Sequence, residues 1–215
     1  MSVVPNRFVA GLDLGRQVDP SALALLQWYS PPPRRTVYGE LVPAERTGPQ
    51  VYEVPTLVRW SLGTPYRDIV KAVAGFFKTP PLAGSAPLLV VDATGVGDAV
   101  YEMALEQMRS ERVTGGMCGV CITAGNACSQ DPSQHGRWRV AKKQLASVLQ
   151  VLLGSRRLLV AEGLAEAATL KRELGNFSVK ITEAGNESFE AWREQEHDDL
   201  VLATALAAWA AERWG

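Results

Sequence analysis

The sequence predicts an α/β fold: a central mixed β-sheet flanked by helices, formed by one domain over residues 1–215. Near the N-terminus, three short apolar runs joined by short connections are typical of an antiparallel meander. After about residue 64, apolar runs alternate with segments of helical period, which indicates parallel strands joined by helices. A hydrophobic content of 47% and a charged content of 21% are ordinary for a globular domain of this length.

The meander is predicted from three segments. FVAGLDLG at 8–15 is a short apolar run that ends in glycine, and SALALLQWYS at 21–30 is a second apolar run. SPPPRR then interrupts the chain, and TVYGELVP at 36–43 is predicted to be the third strand. Residues 44–64 are rich in proline and glycine, so we expect irregular structure there.

The alternating part begins with a helix at 64–78, whose apolar residues share one face. Thr64 is expected to cap this helix, with Pro65 at the first helical position. LLVVD at 88–92 is apolar up to its last residue, as expected for a strand covered on both faces. The following segment, 97–109, is predicted to be a helix.

Further strands and helices complete the chain. MCGVCITAG at 117–125 is predicted to be a strand, and 138–155 an amphipathic helix that ends near Gly154. The remaining predictions are a short extended segment at 156–161, a helix at 163–177, a hairpin with strands at 177–182 and 188–192, and a last helix from about Asp198.

Bulk properties exclude some classes of protein. The net charge of -1 and the sequence pI of about 6.2 do not indicate a nucleic-acid binder, although a local basic face remains compatible with them. No apolar run reaches the ~18 residues that span a bilayer. The N-terminus lacks the apolar segment of a secretory signal. We therefore expect a cytoplasmic protein that does not enter membranes.

Three cysteines raise the question of metal or redox chemistry. Cys118 and Cys121 form a CxxC motif, which occurs in zinc and redox sites, and Cys128 follows it. There is no second pair of cysteines. Because MCGVCITAG also has the pattern of a strand, buried structural cysteines are the favoured interpretation.

Aspartates occur at the ends of predicted elements: Asp13 in the first strand, Asp92 closing the LLVVD strand, and Asp198 with Asp199 opening the last helix. An isolated ionised aspartate in apolar surroundings is costly, so each of them needs a partner or a cation. If the two strands are neighbours, their aspartates converge at one edge of the sheet. Clustered carboxylates suit Mg²⁺ or Mn²⁺, and two such ions about 3.5–4 Å apart can promote phosphodiester hydrolysis.

Each aspartate also has a structural alternative. Asp198 is a good N-cap residue, and Asp199 in the first helical turn complements the helix dipole. Asp13 could anchor a turn, and Asp92 could belong to a βα loop. The order of the four residues favours the metal site. DATGVG lacks the Gly-Lys-Ser/Thr ending of a phosphate-binding loop, so we predict no ATPase motor within this sequence.

The motifs resemble the nuclease domain of the viral (phage) terminase large subunit, in the ribonuclease H-like superfamily that also contains RuvC-type resolvases. The resemblance rests on VAGLDLGRQVDPSALALL, LLVVDATGVGDAVYEM, WRVAKKQLASVLQVLLGSRRLLVA and EHDDLVLATALAAWA, which follow the family's order and span nearly the whole chain. GLDLG alone also occurs in sugar kinases and actin-like ATPases. The resemblance implies a ribonuclease H-like fold and a Mg²⁺- or Mn²⁺-dependent endonuclease that hydrolyses DNA by a two-metal mechanism.

The resemblance also implies roles for the acidic residues. Asp13 is expected to bridge two metal ions, with Asp92 holding one of them. Asp199, together with Asp198, is expected to hold the other; Asp199 is favoured as the main ligand, with Asp198 supporting it or capping the helix. Successive helical residues point about 100° apart, so the two adjacent aspartates are not equivalent, and the choice of Asp199 as the main ligand stays open.

Three further residues lie at positions where related nucleases carry accessory groups. Asp19 is either an accessory acid or a turn residue before Pro20. His197 is expected to be a structural neighbour of the site rather than a ligand. Lys142 could reach the scissile phosphate, or it could be a solvated lysine at a helix start.

Basic residues are concentrated between Pro132 and Ala161, where the sequence contains no acidic residue. Such a patch could contact DNA phosphates without sequence preference, although a solvated helix face is the alternative. Its members are Arg137, Arg139, Lys142, Lys143, Arg156 and Arg157.

Three functions are compatible with these observations. The first is a nuclease acting on double-stranded DNA in packaging, with an ATPase motor, portal or small terminase subunit in trans as partners. The second is a RuvC-like resolvase acting on Holliday junctions. The third is a non-catalytic scaffold that binds nucleic acid. A packaging terminase carries an ATPase motor, so either a domain of a larger protein or a stand-alone nuclease is expected.

Overall fold

A computed structural model of the chain describes residues 7–15, 19–28, 34–35, 41–42, 49–183 and 198–214. The strands are β1 Arg7–Asp13, β2 Ala22–Trp28, β3 Arg34–Arg35, β4 Leu41–Val42, β5 Tyr52–Arg59, β6 Leu88–Asp92, β7 Gly116–Thr123, β8 Cys128–Gln130, β9 Arg137–Ala141 and β10 Leu158–Val160. The helices are α1 Tyr66–Phe77, α2 Gly97–Ser110, α3 Lys142–Gly154, α4 Ala167–Glu183 and α5 Asp199–Trp214.

Eight strands form the central sheet, in the order β10-β5-β2-β1-β6-β7-β9-β8. β1, β2 and β5 are joined as an antiparallel meander, whereas β1, β6, β7 and β9 run parallel to one another. β3 and β4 form a separate two-stranded sheet. The mixed sheet confirms the predicted α/β architecture of a meander followed by parallel strands.

Helices cover both faces of this sheet. α3, α4 and α5 pack on one face, and α1 and α2 pack on the other. α5 is buried around most of its circumference, as its nearly uniform apolar sequence predicts. It crosses β1 at Gly11, where a Cβ atom would lie 2.0 Å from the carbonyl oxygen of Ala203. A glycine is therefore required at the point where helix and strand make their closest approach.

The third strand of the meander was predicted in the wrong place. β5 lies within the segment 44–64 that was expected to be irregular, while β4 and β3 belong to the separate small sheet. Residues 36–40 lie outside the described residues. Pro55 obscured the strand signal because proline lacks an N–H, and it lies where the β2–β5 register shifts between Leu25 and Gln27. Such an irregularity accommodates a proline within a sheet.

Three other predictions are corrected. The first four residues of the predicted helix 138–155 belong to β9, because Trp138 and Val140 alternate toward the α5 core while Arg139 faces away from it. The predicted strand 177–182 is part of α4, since a segment this short cannot distinguish the two periods. Its partner strand 188–192 lies outside the described residues.

The start of α1 also differs from the prediction. Pro65 occupies the N-cap position rather than the first helical turn, and no side chain caps the helix. The Thr64 hydroxyl instead donates to the carbonyl oxygen of Ser61 at 2.6 Å. Within the described ranges, no helix has the length and apolar character needed to cross a membrane.

Candidate active site

Four residues form a row across the sheet at the carboxyl end of β1. The antiparallel registers pair Asp13 with Ala22 and Ala22 with Arg59. The parallel register of β1 and β6 runs from Val9 to the residue before Asp13, so the next position places Asp13 beside Asp92. Neighbouring strands lie about 4.7–4.9 Å apart, and the two aspartates are therefore adjacent.

The side chains of this row lie on the face that α5 covers. Val9 and Val90 pack in the core beneath α5, and side chains alternate along a strand, so Asp13 and Asp92 point to that same face. Both aspartates are buried, with 7% and 6% of their surface exposed. Ala22 lies between Arg59 and Asp13 in this row.

α5 begins above this row. Ala203 packs against Gly11, two residues before Asp13, and Asp199 starts the helix one turn before Ala203. Arg59, at the far end of the row, donates from Nη2 to Oδ2 of Asp199 at 2.8 Å. The structure thus places the aspartates of β1, β6 and α5 at one end of the sheet, and their role as metal ligands stays a prediction.

The DATGVG motif forms a turn that fixes Asp92. The backbone N–H of Thr94 donates to Oδ1 of Asp92 at 2.9 Å, and the Thr94 hydroxyl accepts the N–H of Ile122 at 2.9 Å. This hydroxyl ties the turn to β7. A Cβ atom at Gly97 would lie 2.1 Å from the carbonyl oxygen of Asp92, and Gly95 has a positive φ of 63°. Both glycines are required by the turn.

Glu173 is a buried acidic residue beside the candidate site that the sequence analysis missed. It is 5% exposed, and its Oε2 accepts the backbone N–H groups of Leu200 and Val201 at 3.1 and 3.2 Å. Burial raises the pKa of Glu173 to about 7, and the charge of Asp199 adds to this effect. The signal was available in the sequence, because Glu173 follows Leu170 by three residues on the buried stripe of α4.

Arg59 was missed for a different reason. Its strand was predicted to be irregular, so no face could be assigned to it from the sequence. In the structure its side chain is 20% exposed and pairs with an Asp199 side chain that is 4% exposed. The positively charged Arg59 guanidinium therefore contacts Asp199, one of the predicted metal ligands.

The structure also places the other predicted acidic residues. Asp198 is half-buried and stands at the N-cap of α5, where its carbonyl oxygen accepts the N–H of Leu202 at 2.9 Å. Asp19 lines a cleft of about 210 Å³ together with Gly15 and Tyr66. The Tyr66 hydroxyl donates to the Gly15 carbonyl oxygen at 2.7 Å. His197 lies outside the described residues.

The predicted DNA contacts fall into two groups. Lys142 and Lys143 open α3 at the carboxyl end of β9, where the second is exposed and the first half-buried. Arg139 is exposed on β9, 3.5 Å from a carboxylate oxygen of Asp131. These three side chains are near the surface, at or close to the edge of the sheet.

Arg137 instead lies inside the protein. It is 7% exposed and forms ion pairs with Asp98 at 2.6 Å and Glu102 at 2.7 Å. Its guanidinium lies 3.7 Å from the ring centre of Tyr101. These internal contacts occupy the Arg137 guanidinium, so the predicted contact of Arg137 with DNA would require breaking them.

The cysteines of the CxxC motif do not face the same way. Cys118 and Cys121 are three residues apart on β7, so their side chains point to opposite faces of the sheet. Burial raises the pKa of the Cys118 thiol to about 12. Cys118, Cys121 and Cys128 are all free thiols. The buried strand position of Cys118 fits the favoured structural interpretation.

Divalent metal ions fit the donor set of this site chemically. Asp13, Asp92 and Asp199 supply hard carboxylate oxygens, which Mg²⁺ and Mn²⁺ prefer. Across the described ranges, no three Asp, Glu, His or Cys side chains already form a metal-holding group. In this arrangement the Arg59 guanidinium supplies the positive charge next to Asp199.

No protein-family model and no curated protein matches this sequence. Among solved structures, the human cytomegalovirus terminase nuclease domain, Mn soaked and inhibitor bound, aligns with 94% of this chain and 82% of that chain, with a TM-score of 0.53 and 10% identity. A second structure of the same domain gives 0.51 and 12% identity, over 95% of this chain and 84% of that chain. The chain has a ribonuclease H-like fold.

This finding confirms the fold that the motif resemblance implied. Thermus thermophilus RuvC is also similar, with a TM-score of 0.35 and 14% identity over 95% of this chain and 92% of that chain. In this fold the meander and the parallel strands share one sheet, and β1 is the strand at which the antiparallel and parallel parts meet.

Proposed function

We propose that this chain is a metal-dependent endonuclease that hydrolyses phosphodiester bonds in DNA with two Mg²⁺ or Mn²⁺ ions. The observation that carries this proposal is the convergence of the buried carboxylates of Asp13, Asp92 and Asp199 at one end of the sheet. The fold, shared with a viral terminase nuclease domain that was soaked with Mn, supports the same assignment.

The position of each aspartate determines the role that we assign to it. Asp13 stands within the row beside Asp92, and these two carboxylates together with that of Asp199 would hold the two ions. When bound, such ions lower the pKa of an attacking water and stabilise charge on the leaving oxygen. The sheet fixes the first two carboxylates, and the Thr94 N–H orients Asp92. Asp198 stands at the start of the helix that carries Asp199, where its carbonyl oxygen accepts the N–H of Leu202.

DNA binding is assigned to the side chains of Lys142, Lys143 and Arg139. The two lysines lie at the carboxyl edge of the parallel strands, the edge that also holds the acidic residues. They neutralise phosphates rather than read bases, so binding weakens as salt increases. Electrostatic attraction of this kind also offsets the repulsion between DNA and the acidic site.

The finer proposal is the nuclease domain of a phage DNA-packaging terminase large subunit, acting on double-stranded DNA in the cytoplasm of the infected cell. Its support is the shared architecture with the human cytomegalovirus domain. In that role an ATPase motor, a portal or a small terminase subunit would be the partner. A RuvC-like action on four-way junctions is the competing outcome.

Plasmid cleavage tests the nuclease proposal. Supercoiled DNA is incubated with the chain and Mg²⁺ or Mn²⁺, with EDTA as one control and Asp92→Asn as another. Asp68→Asn is the matched variant, because it makes the same change at an exposed aspartate on α1. We expect cutting by the parent and Asp68→Asn, and none by Asp92→Asn. Equal cutting rates for Asp92→Asn and the parent would contradict the mechanism.

Substrate choice then tests the finer role. Linear duplex and a four-way junction are offered at equal concentration, and the rates are compared. Preference for the duplex supports the packaging role, whereas symmetric cutting of the junction alone supports the resolvase.

A further inference from the structure

A buried charged cluster holds the start of α5, and we define this α5-start cluster as Arg59, Glu173 and Asp199. Glu173 reaches across from α4 and accepts the N–H groups of Leu200 and Val201. The first turn of a helix has N–H groups without helical partners, so this carboxylate satisfies two of them. Arg59, on β5, pairs with the Asp199 side chain.

Two complementary atoms of the cluster have no hydrogen-bond partner in the part of the chain that the structure describes. Oε1 of Glu173 and Nε of Arg59 are buried, and neither has a hydrogen-bond partner among the residues that the structure describes. One is an acceptor and the other a donor. Glu173 lies within electrostatic range of both Arg59 and Asp199. A buried donor and a buried acceptor without partners are costly, so an arrangement in which these two atoms pair would be favoured.

We propose that Glu173 and Arg59 are positioning residues that set how tightly Asp199 binds a divalent cation, an inference that rests on the proposed function. Without metal, Arg59 is the counter-ion of Asp199. When a cation binds there, the guanidinium leaves Asp199 and donates to Oε1 of Glu173. Glu173 thus holds the helix start in both states and accepts the displaced arginine in one.

The other end of α5 supplies a matched control. Arg157 donates from Nη2 to Oε1 of Glu212 at 2.6 Å, and the Tyr52 hydroxyl donates to the same oxygen at 2.6 Å. This pair joins the same helix to the same side of the sheet, but no proposed metal ligand is part of it. Changing it alters helix anchoring without altering the site.

The experiment measures Mn²⁺ binding to the whole chain without DNA, from the electron paramagnetic resonance signal of free Mn²⁺. Glu173→Gln can still accept a helix N–H, but it has no carboxylate to receive Arg59. We expect the Mn²⁺ dissociation constant to rise by roughly tenfold or more, the range typical of residues behind metal ligands. Arg59→Gln removes the competing cation, and we expect the dissociation constant to fall. Glu212→Gln is expected to bind Mn²⁺ like the parent.

The two variants are expected to change the Mn²⁺ dissociation constant in opposite directions. This difference is decisive, because loss of a purely structural contact would weaken Mn²⁺ binding in both variants. An unchanged or weaker affinity of Arg59→Gln overturns the proposal, and so does an unchanged affinity of Glu173→Gln. Circular dichroism checks folding; if Glu173→Gln is unfolded, the sign for Arg59→Gln alone decides. If the parent binds no Mn²⁺, the proposed function and this inference both fail, whereas binding with unaffected variants removes only the inference.

Discussion

The two ends of α5 use similar groups to different effect. At its start Arg59 pairs with Asp199 at 2.8 Å, and near its end Arg157 pairs with Glu212 at 2.6 Å. At the far end both Glu212 oxygens accept hydrogen bonds, and Nε of Arg157 donates to a backbone carbonyl oxygen at 2.6 Å. The Glu212 carboxylate and Nε of Arg157 thus all have hydrogen-bond partners, and the Glu212 side chain is 30% exposed.

The start of the helix is the opposite case. Its aspartate side chain is 4% exposed, and the cluster retains a buried donor and a buried acceptor without partners among the described residues. Two more carboxylates, Asp13 and Asp92, lie in the adjacent row of the sheet. Polar groups that satisfy one another stabilise a fold, whereas an accumulation of buried like charges costs stability, which makes this end of the helix the candidate for a functional site.

The largest contrast between the two ends should appear in catalysis. Asp13→Asn removes one of the three proposed metal ligands, and we expect cleavage to fall by about a thousandfold or more, since each 1.36 kcal/mol of lost transition-state stabilisation is tenfold in rate. Glu212→Gln should cut at the parental rate. Single-turnover cleavage at saturating Mn²⁺ makes the measurement. If Glu212→Gln were as inactive as Asp13→Asn, the proposal that only the start of α5 takes part in catalysis would be contradicted.

The second prediction concerns stability and pH without metal. Glu173 has a folded pKa of about 7 against 4.5 for its ordinary value, so the folded state holds its proton more tightly than the unfolded state. The stabilising contribution is complete below pH 4.5 and is lost as pH rises toward 7. The loss is on the order of 3 kcal/mol by linkage.

Urea denaturation in EDTA at several pH values measures this loss. Between pH 4.5 and 7 the parent should lose stability relative to Glu173→Gln, which has no carboxyl group to titrate at this position. Glu212→Gln should retain the parental slope. A parallel pH dependence for the parent and Glu173→Gln would show that Glu173 does not titrate in this range.

The third prediction concerns the contact between Gly11 of β1 and α5, which fixes where both ends of this helix lie. Gly11→Ala places a Cβ atom 2.0 Å from a backbone oxygen of Ala203, so α5 must move away from β1. We expect a loss of about 1–3 kcal/mol in the free energy of unfolding, as for other overpacked cores. Gly75→Ala is the control, because nothing lies within 4 Å of the added atom on α1. That variant should be stabilised by about 0.5–1 kcal/mol in urea denaturation.

The smallest effect is expected at the far end of α5. A double-mutant cycle of Arg157→Gln and Glu212→Gln should give a coupling energy below about 1 kcal/mol, because the pair is partly exposed. Thermal or urea denaturation of the four proteins supplies the cycle. A coupling of several kcal/mol would mean that this end is as important to the fold as the start.

Local sequence pattern was sufficient for most elements and for the acidic residues. β1, β2, β6 and β7 were predicted from apolar runs, and α1, α2 and the start of α5 from helical period. The positions of Asp13, Asp92 and Asp199 at element ends followed directly, because a charged residue at the end of an apolar run is visible in the sequence. Their roles as metal ligands stay a prediction.

Tertiary structure alone decided which charges meet. Arg59 and Asp199 are 140 residues apart in the chain, and their contact depends on the register of β5 against β2 and on the crossing of α5 over β1. Arg137 shows the same limit, since its basic sequence neighbourhood suggested DNA whereas Asp98 and Glu102 enclose it. Periodicity shows which face of an element is apolar, but the partner of a charge depends on distant segments that only folding brings together.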